Sequence, residues 1–252
     1  MNTMKYKVTL ITMSFLTVHL FAQNGLSETF YENGNQKSSC NYKNGKKNGQ
    51  EKEWNSDGSL KYSCEYKNGM KHGLETGKKF YSEVSAKDLQ GNRVRGWYRL
   101  YKKYETYYVN GKKDGLHQEW YLFPDNVIIN DKWSNRQDAY VSRYNGNLAV
   151  KSYYKNGEKS GLEEIYLRDG RLYRKHNYLN GKLHGLTTHY YNGSKSKPDA
   201  YYLSTTIEYD NGKKHGKYTT FWDCGSIRYI WKYIAGERVG DTQYVNKRSP
   251  CR

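Results

Sequence analysis

The sequence predicts an all-β chain, an elongated antiparallel sheet of repeated β-hairpins that follows an N-terminal signal peptide. Three observations predict it. Two glycines four residues apart recur seven times, each time with a tyrosine three residues before the first. Between glycine pairs the chain alternates apolar and polar residues at period two, as a half-buried strand requires. The composition, 28 Tyr and 24 Gly against 3 Pro in 252 residues, is 16% aromatic, with a mean hydropathy of −1.08. That is too polar for a large globular core and too aromatic for a disordered chain.

Residues 1–22 read as the signal peptide. Lys5 and Lys7 precede an apolar run from Val8 to Phe21, and Ala22–Gln23 is the expected cleavage point. The repeat domain is expected over 23–252, with an N-terminal half unit at Tyr31, Asn33 and Gly34. The seven glycine pairs are Gly45/Gly49, Gly69/Gly73, Gly111/Gly115, Gly157/Gly161, Gly181/Gly185, Gly212/Gly216 and Gly236/Gly240; their tyrosines are Tyr42, Tyr66, Tyr108, Tyr154, Tyr178, Tyr209 and Tyr233. Asn precedes the first glycine in six of the seven, with Ala235 the exception. Asn-Gly accepts positive φ at both positions, which a two-residue hairpin turn demands. The next strand carries Leu just after the second glycine (Leu74, Leu116, Leu162, Leu186) and an aromatic four residues later (Trp54, Trp120, Tyr166, Tyr190, Phe221), on one face. A second turn is expected at Gly58, Gly170 and Gly225, and the returning strand alternates again, as in Leu60, Tyr62, Cys64 and Tyr66. First glycines are 24 apart three times, while spacings of 31, 42 and 46 mark irregular segments near 77–107, 122–143 and 194–206.

The glycine and tyrosine pattern resembles the bacterial variant of the MORN repeat, including units found in antitoxin-like proteins, over about residues 28–245. The resemblance implies a MORN-like solenoid used as an interaction platform, and some relatives of this kind are antitoxins. Standard units carry a Gly-x-Gly pair after the turn, whereas these continue into Leu-x-x-x-aromatic, so lipid binding reported for parts of that family transfers poorly.

Two stripes are candidate binding residues. The residue two after the first glycine is basic in six of seven units: Lys47, Lys71, Lys113, Lys159, Lys214 and Arg238. Stacked hairpins would align them in one ridge suited to an anionic polymer or membrane surface, or merely solvated at turn tips where they discourage aggregation. The aromatic stripe, with Trp54, Trp120, Tyr166 and Tyr190, fits either a binding surface or cross-strand packing that holds the sheet together. Trp133 in an irregular segment is a further candidate contact. His72, His184 and His215 each precede a second glycine, where other units have Asn48, Asp114, Ser160 and Val239; this pattern suggests turn chemistry rather than a metal site.

No nucleophile motif, phosphate loop or zinc-ligand spacing is present, and Glu163 and Glu164 point to opposite faces. The expectation is a non-enzyme without metal or cofactor. Cys40 and Cys64 occupy equivalent strands of neighbouring hairpins, about 9.6 Å apart, beyond the ~7 Å a disulfide spans, and are expected to stay free. Cys224 in a turn and Cys251 in the tail offer one pairing that would pin the C-terminus; the sequence leaves open whether it forms. The formal charge of +17 favours acidic partners or solubility. The leading expectation is a secreted or periplasmic scaffold for a protein partner, using the aromatic face with help from the lysine ridge. Alternatives are a module for anionic envelope polysaccharide or lipid, and an antitoxin or immunity-like protein. Specific nucleic-acid binding is not expected; self-association through open sheet edges is.

Overall fold

A computed structural model describes residues 24–84, 86–87, 98–122, 128–129, 146–191 and 202–245, and these form strands and turns without a helix. In chain order the strands are β1 (Gly25–Phe30), β2 (Gln36–Lys43), β3 (Lys46–Trp54), β4 (Leu60–Lys67), β5 (Met70–Val84), β6 (Ala86–Lys87), β7 (Tyr98–Val109), β8 (Lys112–Leu122), β9 (Ile128–Ile129) and β10 (Leu148–Lys155). They continue as β11 (Glu158–Lys159), β12 (Gly161–Tyr166), β13 (Leu172–Leu179), β14 (Lys182–Leu183), β15 (Gly185–Tyr190), β16 (Leu203–Asp210), β17 (Lys213–Phe221), β18 (Ile227–Ile234) and β19 (Glu237–Tyr244). Seventeen belong to one antiparallel sheet. Its register pairs run in chain order, so the sheet is an open meander with β1 and β19 at its edges. β6 pairs with β9 separately. β11/β12 and β14/β15 are single strands interrupted at Ser160 and His184, whose N–H groups donate to the carbonyls of Tyr153 and Asn177.

The repeat glycines have distinct duties. In all seven turns the residue before the first glycine sits at a φ between 47° and 53°, and the glycine is positive too, the two-residue geometry that matches strand twist. The second glycine opens a bulge. Tyr42 pairs with Lys47 but Cys40 with Glu51, so Asn48, Gly49 and Gln50 lie opposite Asn41 alone. Because the register jumps by two, Tyr42, Cys40, Lys47 and Glu51 stay on one face. The second glycine is also the partner of the next unit's tyrosine: Gly49 of Tyr66, Gly73 of Tyr108, Gly115 of Tyr154, Gly161 of Tyr178, Gly185 of Tyr209 and Gly216 of Tyr233. Each of these rings therefore faces a partner with no side chain. Hairpins are tied side by side at the same end, where the N–H of Gly69, Gly111, Gly157 and Gly181 donates to the carbonyl of Lys47, Lys71, Lys113 and Lys159.

The start of the repeat differs from the expected half unit. Asn24 Oδ1 accepts from the Asn44 N–H at 2.8 Å, as Asn48 Oδ1 does from Asn68 at 3.2 Å, and Gly25 pairs with Tyr42. Residues 24–30, with Leu26 and Phe30, are thus the trailing half of a unit. Tyr31, Asn33 and Gly34 form the turn at the opposite end, since Asn33 lacks positive φ and the Gly34 N–H donates to the Tyr31 carbonyl. That end carries its own ties, with the hydroxyls of Tyr31, Tyr121 and Tyr191 donating to the carbonyls of Trp54, Tyr166 and Phe221 at 2.7, 2.9 and 2.6 Å.

The irregular segments are shorter than expected. Much of 77–107 is strand, because β5 and β7 form one long hairpin, and a long hairpin needs no glycine until its tip. Leu122 ends β8, and β16 already covers 203–206. β5, β8 and β15 end, and β7, β10 and β16 begin, at the end of the sheet opposite the Asn-Gly turns.

There is no second layer over this sheet among the described residues. The apolar residues buried there are Cys40, Cys64, Tyr121, Ala149 and Ile207. A mostly polar and largely buried line crosses the sheet: Cys40, Glu51, Cys64, Glu75, Thr106, His117 and Ser152 are successive cross-strand partners, and Glu119 and Tyr121 widen it along β8. Glu163 pairs with His176, Thr187 with Ile207, and Ile207 with Tyr218 along the same line. Stability comes mainly from each hairpin's contact with its neighbours, as in other solenoids.

Candidate functional site: two faces of one sheet

The two candidate stripes lie on opposite faces, so they do not combine into one surface. The basic residues share a face with the repeat tyrosines and cover them. Lys47 Nζ lies over the Tyr66 ring at 4.9 Å, Lys71 over Tyr108 at 5.2 Å, Lys113 over Tyr154 at 4.9 Å, Lys159 over Tyr178 at 4.9 Å and Lys214 over Tyr233 at 5.0 Å; Arg238 covers Trp231 at 5.2 Å. Lys47, Lys71 and Lys159 also pair with Glu51, Glu75 and Glu163, four residues on and directly across the bulge. The basic residues do align, and Lys47, Lys71 and Lys159 stay about one-third exposed. These lysines are spent on the sheet's own rings and carboxylates.

The electrostatics of this face follow from that packing. Burial opposes ionisation of Glu163, but hydrogen bonds from His176 and Lys159 outweigh it and hold its pKa down to about 2. Burial likewise opposes Glu119, which His117, Lys79 and Lys102 bring down to about 2. Burial works against the Lys159 ammonium, yet Glu163 raises its pKa. Lys113 has His117 instead of a glutamate four residues on, and burial lowers its pKa. Burial first, and then Glu75, raises Tyr108. His117 bridges Thr106 Oγ1 at 2.7 Å and Glu119 Oε1 at 3.1 Å; all three are buried, which leaves that hydroxyl–imidazole–carboxylate chain without access for a substrate.

Trp54, Trp120, Tyr166 and Tyr190 lie on the other face, here called the leucine face. They are half-buried and each pairs with an aliphatic residue of the returning strand: Trp54 with Leu60, Trp120 with Leu148, Tyr166 with Leu172, Tyr190 with Leu203. Lys103 stacks on Trp120 at 5.2 Å. The register thus favours cross-strand packing for this row. Trp133 lies outside the described residues.

A row that the sequence analysis did not single out is more open. Leu74 pairs with Tyr107, and Leu116 with Tyr153. Tyr107 flanks the bulge at Gly115, and the β10–β12 register carries Leu162 to the far side of Tyr153. The result is one apolar line across β5, β7, β8, β10 and β12, in which Tyr107 is 46% and Tyr153 41% exposed. Other units place Asn41, Glu65, Asn177, Glu208 or Lys232 before their repeat tyrosine or one strand position from it. The doubled Tyr107–Tyr108 and Tyr153–Tyr154 were the available signal.

Of the three histidines before a second glycine, His215 makes a turn contact, His184 Nδ1 lies 3.3 Å from Asp210 Oδ1, and His72 Nδ1 is buried without a hydrogen-bond partner among the described residues. His215 Nδ1 accepts from the Ala235 N–H at 3.4 Å, where Asp114 Oδ2 accepts from Asn156 at 3.0 Å. Among the described residues no three His, Cys, Asp or Glu side chains converge as a metal site. Cys40 and Cys64 are free and buried, and burial raises both thiol pKa values. Cys224 is disulfide-bonded; the candidate partner Cys251 lies outside the described residues.

Among the described residues these features define an open, single-layer antiparallel solenoid with one face of packed rings, lysines and carboxylates and one partly uncovered face. No protein-family model matches the chain, and no curated protein matches it either.

Proposed function

We propose that this is an exported, non-enzymatic scaffold that binds a protein partner on its leucine face. The observation that carries this reading is the apolar row Leu74, Tyr107, Leu116, Tyr153 and Leu162, uncovered at the centre of a sheet with no second layer among the described residues. Exposed apolar patches of this kind mark binding surfaces, and tyrosine is enriched in them. Export is supported by the apolar run Val8–Phe21 after Lys5 and Lys7 and by a disulfide at Cys224, which suits an oxidising compartment. The resemblance to bacterial MORN-repeat variants supports an interaction platform, and an antitoxin or immunity role would be one form of it. An anionic envelope ligand held by Lys47, Lys71 and Lys159 is disfavoured, because those lysines already neutralise Glu51, Glu75 and Glu163.

The test is affinity capture from envelope and secreted fractions with the chain from Gln23, washed with rising salt. One protein retained at near-equal stoichiometry, and lost with the Tyr107→Ser/Tyr153→Ser variant, is the expected result. Retention of salt-labile polyanions alone, unaffected by that variant, overturns the proposal.

A further inference from the structure

Beside the apolar row, on the same face and one residue pair nearer the Asn-Gly turns, runs a second set of lysines. Lys43, Lys46, Lys67, Lys112 and Lys155 flank these turns and are exposed. Alternation places them on the leucine face, since Tyr42, Lys47, Tyr66, Lys113 and Tyr154 beside them lie on the other. Among the described residues none of the five joins an ion pair, in contrast to Lys47, Lys71 and Lys159 on the other face. Along β2–β12 the acidic residues near these tips are Glu158, Asp114, whose carboxylate accepts from the Asn156 N–H, and Glu65, two residues from Lys67; the lysines outnumber them. The row spans about 19 Å across its five strands; Lys155 lies about 7 Å from it along β10, Lys112 flanks it on β8, and Lys67, Lys46 and Lys43 carry the rim on over β4, β3 and β2, one to three strand spacings beyond β5.

Resting on the reading of a protein-binding leucine face, we propose that the partner is acidic where it meets this rim: it buries apolar side chains against Leu74, Tyr107, Leu116, Tyr153 and Leu162 and sets carboxylates opposite Lys43, Lys67, Lys112 and Lys155. An apolar centre with a polar, charged rim is the ordinary anatomy of a protein interface. Charge complementarity decides the occupant. A partner with basic groups at this edge would meet five unpaired ammonium groups, at a cost that suppresses wrong complexes. A linear polyanion would satisfy the lysines but would have nothing to bury against the leucines and tyrosines, so the combined surface fits an acidic protein better. On the opposite side of the row the next line of side chains is already balanced, with Lys103 paired to Glu105 at 2.8 Å and Lys175 to Glu164 at 3.5 Å. The electrostatic preference therefore comes from the turn side alone and orients the partner on the sheet.

The probe is the protein retained by the wild-type chain in the capture above, bound to surface-immobilised scaffold at low and at high salt. Lys43→Glu, Lys67→Glu, Lys112→Glu and Lys155→Glu combined should slow association by about tenfold or more at low salt, with a difference that shrinks at high salt and a dissociation rate changed little. The matching Lys→Gln variant should give an intermediate rate, and unchanged circular dichroism confirms the fold of both. The Tyr107→Ser/Tyr153→Ser variant should lose binding at either salt. If the lysine variants associate as fast as wild type, the acidic partner is overturned while the protein-binding face stands. If a polyuronate chain binds wild type and the tyrosine variant alike and fails on the lysine variants, the rim is a polysaccharide strip, and this inference falls. Failure of the capture itself strikes the underlying reading instead.

Discussion

Replacing Glu163 by Gln tests whether the largely buried polar line stabilises the sheet. The Glu163 side chain is 6% accessible and accepts from Lys159, from His176 Nδ1 at 3.2 Å and from the Tyr178 hydroxyl at 3.2 Å. Its pKa falls from 4.5 to about 2 on folding. A depressed carboxylate stabilises the fold above its unfolded pKa, and that contribution is lost as pH falls through the folded value; here it amounts to about 3 kcal/mol. Wild type should therefore lose this increment as pH falls from about 5 to about 2. Glu163→Gln should be less stable than wild type by about 3 kcal/mol at neutral pH and nearly equal to it at the acid end, because a glutamine does not titrate. Urea denaturation followed by circular dichroism, repeated across that pH range, measures the difference directly. A stability gap that stays constant with pH would refute the reasoning, for it would show that Gln removes packing rather than a charge held by Lys159 and His176.

Other expectations follow from the same geometry. Asn180→Ala, at φ 49°, should destabilise by about 1 kcal/mol in thermal melts, whereas Ala235→Gly, at φ 52°, should stabilise by a similar amount. Lys214→Met, which keeps the aliphatic stem but removes the ammonium over Tyr218 and Tyr233, should cost up to about 2 kcal/mol; no change in the melt would mean that the stack contributes nothing. Under non-reducing conditions the thiols of Cys40 and Cys64, both buried, should react with a thiol reagent only in denaturant. Reaction of the folded chain would contradict their burial.

The parts legible in the sequence were those set by local backbone demands. Asn-Gly at each hairpin tip announces positive φ, and period-two alternation announces strands, so fold class, hairpin order and turn positions could be read from residues near one another. The free state of Cys40 and Cys64 followed from strand spacing alone. The half unit at Tyr31 was misread because Asn-Gly occurs in both kinds of turn, and only the hydrogen bond from Gly34 to Tyr31 and the φ of Asn33 tell them apart. The long β5–β7 pair reads as an irregular segment because no Tyr-x-Asn-Gly occurs between Gly69 and Gly111.

What only the tertiary structure decided was sidedness and neighbourhood. The bulge at each second glycine shifts register by two, and this aligns Lys47 with Glu51 and seats Lys47 over the next unit's Tyr66, so a ridge that reads as free is engaged by the sheet's own groups. Tyr107, Leu116 and Tyr153 meet because β7, β8 and β10 are adjacent despite the residues inserted between 122 and 146. The outward lysines beside them acquire meaning only through that adjacency. Turn chemistry is a property of a few consecutive residues, whereas a surface is made by strands far apart in the chain, and its composition depends on which face each bulge leaves exposed.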